Sequence, residues 1–349
     1  MNPTPVAQRA ENRTIALWLM LCCALVFVMV VVGGVTRLTK SGLSIVEWEP
    51  LIGAIPPLSE ADWRQMFHEY QQTPEYQKVN RGMSLDAFKG IFWWEYIHRL
   101  LGRIIGLVFF IPLLYFVVRR RIERALVPRM AGIFALGMLQ GAIGWWMVKS
   151  GLVDDPRVSH FRLTTHLGMA FVIFAAMFWT ALSLLQRPCA RITQLSGLAS
   201  GIAVMVMLQV LSGGLVAGSH AGWAYNTFPD MNGHLVPPEA FALTPWWQNF
   251  LHAIGAIQFL HRCLAWVLLI MIIVLWWRSR AVALSASTRL AVRLLAGMVI
   301  VQFILGVTTL LMRVPVHLGA AHQGGALVLF ALALWAMVQL RGTSPSEAL

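Results

Sequence analysis

The chain has 349 residues, 58% of them hydrophobic and 12% charged, with a formal net charge of +12. Its apolar residues gather in runs of about twenty, enough to cross a hydrocarbon core roughly 30 Å thick, which excludes a soluble globular domain and predicts an all-α polytopic membrane protein. The positive charge lies in short stretches between those runs, where it fixes membrane orientation, and it carries no nucleic-acid role.

From the N-terminus, Met1 to Asn12 is short and polar, and the first apolar run continues without a small-residue cleavage site. It reads as a retained span with no organelle presequence. Eight spans are expected, at about Ala16 to Val35, Phe92 to Val118, Val127 to Val148, Phe161 to Leu185, Leu195 to Ala217, Phe250 to Trp277, Leu290 to Leu311 and Val316 to Leu340. Arg119, Arg120, Arg121, Arg124 and Arg129 follow the second span, Arg187 and Arg191 the fourth, and Arg278, Arg280, Arg289 and Arg293 the sixth, while Ser219 to Asn249 has neither Lys nor Arg. Both termini are therefore expected on the cytoplasmic side. Cys22, Cys23, Cys189 and Cys263 all lie in or beside apolar runs, so no disulfide framework is expected.

Two external loops are long. In Arg37 to Gly90 a helix is expected from Ser59, with Trp63, Met66, Phe67 and Tyr70 forming an apolar stripe that would lie on the membrane like a lid. In Ser219 to Asn249, the turn-rich Ala224 to Pro229 and Val236 to Pro238 favour a fixed cap over a floppy linker.

The two halves of the chain echo each other. Gly33-Gly34 corresponds to Gly213-Gly214, His98-Arg99 to His261-Arg262, Gln140 with Gly144 to Gln302 with Gly306, and His166 to His322. The offsets are 180, 163, 162 and 156 residues, so only loops differ in length. This predicts two tandem four-helix bundles, 1–190 and 191–349, related by a pseudo-two-fold axis along the membrane normal. His98, His166, His261 and His322 then fall in the first turns of inward-running spans, about 9 to 16 Å below the outer end. Neutral imidazoles paired across facing helices suit haem iron, whereas zinc would want four close ligands. His68, His160, His220, His234, His252 and His317 fall in loops or at span ends, where a wet interfacial place is the expectation. Arg99 and Arg262 are equally suited to holding haem propionates and to interfacial anchoring. The repeat breaks at one position: Glu95 stands three residues before His98, but Gln258 three before His261. A carboxylate can accept protons where an amide cannot, so chemistry is expected in the first half and a fixed electron-carrying haem in the second.

Read together, Gly33 to Ser44 running into Glu47-Trp48, Glu95 to Arg99, Gln140 to Trp146, Thr165 to Gly168, Ala224 to Pro229, His261-Arg262 and His322 to Gly324 resemble the haem A synthase family over nearly the whole chain. The resemblance implies oxidation of the C8 methyl group of haem O to a formyl group, giving haem A for cytochrome c oxidase. It implies His98 and His166 as ligands of the substrate haem, Glu95 as the catalytic carboxylate, and His261 and His322 as iron ligands of a haem b cofactor. It further implies a haem O synthase as donor and oxidase-assembly partners, with an unnamed electron acceptor and a possible homo-oligomer; the short N-terminus without a presequence favours a bacterial inner membrane, and the charge pattern and histidine depth put the haem sites toward the periplasm. The first external loop lacks the cysteine pair that some members carry, so the chain resembles the cysteine-free subgroup. Four histidines in two pairs would also serve a two-haem cytochrome b in electron transfer, or a haem transporter or chaperone.

Overall fold

A computed structural model of the chain describes residues 5–47, 52–153, 156–185 and 195–341. Trp48, Arg187, Cys189 and Arg191 lie outside the described residues. The helices are α1 (Pro5–Leu38), α2 (Glu60–Gln71), α3 (Pro74–Lys78), α4 (Leu85–Val118), α5 (Val127–Lys149), α6 (His160–Leu185), α7 (Ser196–Gly218), α8 (Asn249–His252), α9 (Ile254–Ser279), α10 (Ala286–Leu311) and α11 (Val316–Leu340). Among the described residues, eight of these (α1, α4, α5, α6, α7, α9, α10 and α11) are long and apolar enough to cross a membrane, and no strand occurs. Helix is what lipid demands of such sequences, because every backbone N–H and C=O must be paired within the segment.

Four span starts differ by several residues from the sequence expectation: α1 begins at Pro5, ahead of the apolar run from Ala16, and the other three shift for local reasons. The Ser84 side chain caps α4 by accepting from the Ala87 N–H, so the helix begins at Leu85 and runs about two turns above Phe92. His98 consequently stands roughly four turns into its helix, whereas His166, His261 and His322 stand roughly two turns into theirs. Ser285 caps α10 in the same way and starts it at Ala286. Extended backbone at Ala253 splits Phe250, on α8, from α9.

The extra turns of α4 have a use. The α2 stripe does not lie on the membrane: it packs against α4, with Trp63 edge-on to Phe92 at 4.8 Å and Tyr70 against Phe88 at 5.1 Å. The Ser59 capping box with Asp62 sets the start of α2, and Tyr70, Phe88 and Phe92 are fully or nearly fully buried.

The spanning helices form two rings with the same packing order. In the first, α1 packs on α4 and α6, and α5 packs on α4 and α6 from the other side, while α4 and α6 face diagonally and barely touch. In the second, α7 and α10 both pack on α9 and α11, and the diagonal pair is α9 and α11. The rings join through α1 with α11 and α6 with α7, and one continuous apolar core runs from Ile15 to Leu340. Glycine permits this junction. A Cβ on Gly34 would stand 3.2 Å from Gln323 Nε2, which donates to Val30 O (2.7 Å), and one on Gly214 would stand 2.9 Å from Thr164 Oγ1. Cys22 and Cys23 are buried in the core and Cys263 is half-buried; all three are free thiols.

Candidate functional site

The histidines singled out by the repeat sit on the diagonal helices of the two rings. His98 is on α4 and His166 on α6, within electrostatic range of one another; His261 on α9 and His322 on α11 stand likewise. Each imidazole is half-buried and rests against a glycine of an adjacent helix. A Cβ on Gly33 would lie 3.2 Å from His98, on Gly144 2.9 Å from His166, on Gly213 3.2 Å from His261, and on Gly306 2.8 Å from His322. Larger residues there would drive the rings from their places, so the repeated glycines are explained by space alone.

The second pair is held more tightly than the first. Ser212 Oγ is hydrogen-bonded to His261 Nδ1 at 2.8 Å, and Gln209 Nε2 donates to the His261 carbonyl at 3.1 Å. Gln302 Nε2 lies 3.1 Å from His322 Nδ1 and donates to the His322 carbonyl at 2.8 Å. In the first ring, Gln140 Nε2 reaches only the His166 carbonyl (3.0 Å), and His166 Nδ1 is buried without a hydrogen-bond partner. The Ser212 hydroxyl can accept from His261 Nδ1–H, which orients that imidazole and raises its basicity as a ligand, whereas the Gln302 amide N–H, a donor, positions the His322 ring without that effect. Sequence reading noted Gln302 and missed Gln209 and Ser212, which have no polar counterparts at Met29 and Val32 in the first half. Among the described residues, no group of three or more His, Cys, Asp or Glu could hold a metal ion. Imidazole pairs across a diagonal, with His166 Nδ1 orphaned, fit residues that would hold a porphyrin iron.

Beside each α4 and α9 histidine is a clamp on the overlying loop. Glu95 is buried at 3% exposure; its Oε2 accepts from Ser44 N (2.7 Å), Ser44 Oγ (2.8 Å) and Ile45 N (3.0 Å). Its Oε1 accepts from Arg99 Nε (3.1 Å) and Nη2 (2.7 Å), and Arg99 also donates to the carbonyls of Ile45 and Glu47. In the second half Gln258 Oε1 accepts from Arg262 Nη2 (2.8 Å), and Gln258 Nε2 donates to the Ala221 carbonyl. Arg262 donates in addition to the carbonyls of Tyr225, Thr227 and Asp230, which makes Ser219 to Asn249 the fixed cap that its turn chemistry predicts.

This geometry accounts for the break in the repeat. The first loop presents two backbone N–H groups and a hydroxyl, which call for an acceptor-only carboxylate. The second presents a carbonyl, which calls for the N–H of an amide. The Glu95/Gln258 difference therefore follows from what each loop offers, and the two arginines spend donors on loop carbonyls.

The other histidines stand apart from the two pairs. His160 Nε2 is 3.0 Å from the Leu251 carbonyl, His220 stacks on Trp223, and His317 is exposed in the first turn of α11.

A family model described as cytochrome oxidase assembly protein matches residues 16–334. The chain is 58% identical to the haem A synthase of Nitrosospira multiformis, over 95% of each sequence. It is 54% identical to that of Nitrosomonas eutropha, over 93% of each, and 51% identical to that of Parvibaculum lavamentivorans, over 93% of this chain and 94% of the relative.

Proposed function

The chain belongs to the cytochrome oxidase assembly protein family, and on that premise we propose that it is a haem A synthase, an oxidoreductase that converts the C8 methyl group of haem O to the formyl group of haem A. The observation that carries the reading is the duplicated histidine pair, one loosely and one tightly held, in a chain 58% identical to a haem A synthase. The first ring, within 1–190, is the substrate half; the second, within 191–349, is the cofactor half. His98 and His166 take the iron of haem O, with the first imidazole pair free to adjust as substrate arrives and product leaves. His261 and His322 hold haem b, which supplies one-electron redox chemistry when bound.

In net terms the methyl group and one water give up two electrons and two protons to an external electron acceptor to form the alcohol. The alcohol and a second water give up two more of each to form the hydrated aldehyde, which loses water to leave the formyl group. The residues of the first half must fix the macrocycle so that this methyl, and no other, meets the reacting groups, and they must exclude bulk water. Glu95 is the carboxylate of this half. Its two oxygens accept from five donors, which holds Arg99 and the Ser44 to Glu47 segment beside the substrate half and places a carboxylate where positive charge develops as electrons leave. We place the protein in a bacterial inner membrane with both termini cytoplasmic and both sites toward the periplasmic side.

Mass analysis of pigment extracted from purified protein tests the reading. Haem O, its hydroxylated intermediate or haem A alongside haem B is the expected result; haem B alone, in cells rich in haem O, would point to an electron-transfer cytochrome or a carrier instead. Glu95→Gln is expected to retain haem O and to lower its conversion to haem A at least tenfold. Undiminished conversion would remove Glu95 from the mechanism.

A further inference from the structure

A porphyrin in a membrane has one polar edge, where its two propionate carboxylates lie, and charge at that depth is costly without a cationic partner. Sequence offers Arg99 and Arg262 for the carboxylates, but both are committed to the loop clamps. Arg99 donates to Glu95 and to the carbonyls of Ile45 and Glu47, and Arg262 donates to Gln258 and to three carbonyls of the second cap. Arg37, in the last turn of α1, is different. It is half-buried, and among the described residues its guanidinium has neither a hydrogen-bond nor an ion-pair partner. Its neighbours fix its direction. Thr36 Oγ1 donates to the Trp94 carbonyl of α4 at 3.2 Å, and Leu38 lies against Gly319 of α11, so Arg37 projects between those two helices, toward α6. Val26, Val30 and Gly33 share its face; the two valines are buried, and a Cβ on Gly33 would meet His98. Arg37 therefore stands one turn, about 6 Å, outward of the glycine beneath His98, on the interior side of the first ring. After burial itself, Arg37, Lys40 and Arg157 all act to hold the His220 imidazole below its ordinary range, so several cations gather at this end of the ring. The second ring lacks a cation at the matching position, since the counterpart of Arg37 at the offset of 180 is Ala217.

We propose that Arg37 holds the propionate carboxylate of the substrate haem that shares a pyrrole ring with the C8 methyl group. A guanidinium whose donors are uncommitted pairs with a carboxylate through two parallel N–H···O bonds, which fix orientation as well as position. Orientation decides the outcome for this substrate. Two axial histidines leave a macrocycle able to turn about the axis through its iron, whereas a grip on the propionate beside the reacting methyl stops that rotation and presents one methyl group rather than another. The bond from Thr36 to the Trp94 carbonyl, one residue before Glu95, ties the end of α1 to the carboxylate of this half. The haem of the second half undergoes no substitution and needs no such placement, which agrees with Ala217 there. This inference rests on haem O being the substrate.

The test is pigment binding by the purified full-length protein, with haem O and its two monomethyl esters as probes. The native chain is expected to bind the ester at the propionate beside the C8 methyl at least tenfold more weakly than the ester at the other propionate. Arg37→Gln is expected to bind the two esters alike and Arg37→Lys to keep part of the distinction, with the haem B of the second half retained in both variants. Equal binding of the two esters by the native chain overturns the contact and leaves haem O standing as the substrate. A native-like distinction in Arg37→Gln also overturns it. So does loss of haem O, both esters and the second-half haem B together in both variants, because Arg37 would then serve only to pack the bundle. Failure of the native chain to bind or convert haem O overturns the substrate assignment and the contact together.

Discussion

The paired positions 95 and 258 carry different residues because different groups stand opposite them. Glu95 faces donors and Gln258 faces an acceptor, so exchanging the two types has calculable consequences. Gln258→Glu sets a carboxylate against the Ala221 carbonyl and is expected to destabilise the second cap by about 1 to 3 kcal/mol, read as faster proteolysis of the 219–249 loop. Resistance equal to the native chain would contradict the clamp. Gly306→Leu, which fills the place of the His322 ring, is expected to abolish haem B retention in the second half without unfolding the first. The histidines and glycines were legible in the sequence because they recur at matched offsets. Gln209 and Ser212 were not, since a hydrogen bond to an imidazole on another helix leaves no periodic trace. The Glu95/Gln258 difference was visible as a difference, but its cause depends on which backbone atoms the loops present, and that is a property of tertiary packing.

At the scale of elements, the loop before α4 is a docked structure with its own aromatic core. Trp63, half-buried between Phe92, Trp93 and Phe88, anchors it. Trp63→Ala is expected to loosen α2 from α4 by about 2 kcal/mol, seen as faster amide exchange across Glu60–Gln71 with the spanning helices unchanged. Unaltered exchange would return α2 to the membrane surface. The same element carries a pH response. Glu75 on α3 is buried beside the Tyr70 hydroxyl, and burial pushes its carboxyl up to about 7, with Glu95 adding to the rise and Tyr70 and Lys40 opposing it. Between its ordinary value of 4.5 and about 7 the folded loop binds more protons than the unfolded one, so its stability falls as pH rises through that window and levels off above it. Amide protection over Pro74–Lys78, taken relative to the intrinsic exchange rate at each pH, is expected to be greater at pH 5 than at pH 8, and Glu75→Gln is expected to erase the difference. The helix start at Ser59 and the stripe that follows it were readable from sequence, whereas the surface covered by the stripe was not: spacing defines an apolar face, and α4 competes with lipid for it by growing two turns beyond the apolar run.

For the whole molecule, the repeat organises everything else. Equal packing orders, equal glycine contacts beneath each histidine and equal loop clamps make two similar rings, joined where Gly34 admits Gln323 and Gly214 admits Thr164. The rings diverge in how firmly each grips its imidazoles, and on the proposed function that difference lets one scaffold retain one haem and exchange the other. The spans and the repeat were legible because lipid imposes length and duplication imposes spacing. The most direct test of this division of labour is mass identification of the pigments retained by purified His98→Ala, His166→Ala, His261→Ala and His322→Ala proteins. The first two are expected to keep haem B and lose haem O and its products, and the last two to lose haem B while still binding haem O. Retention of haem B in the His261 and His322 variants, or its loss in the His98 and His166 variants alone, would contradict the assignment of the two halves.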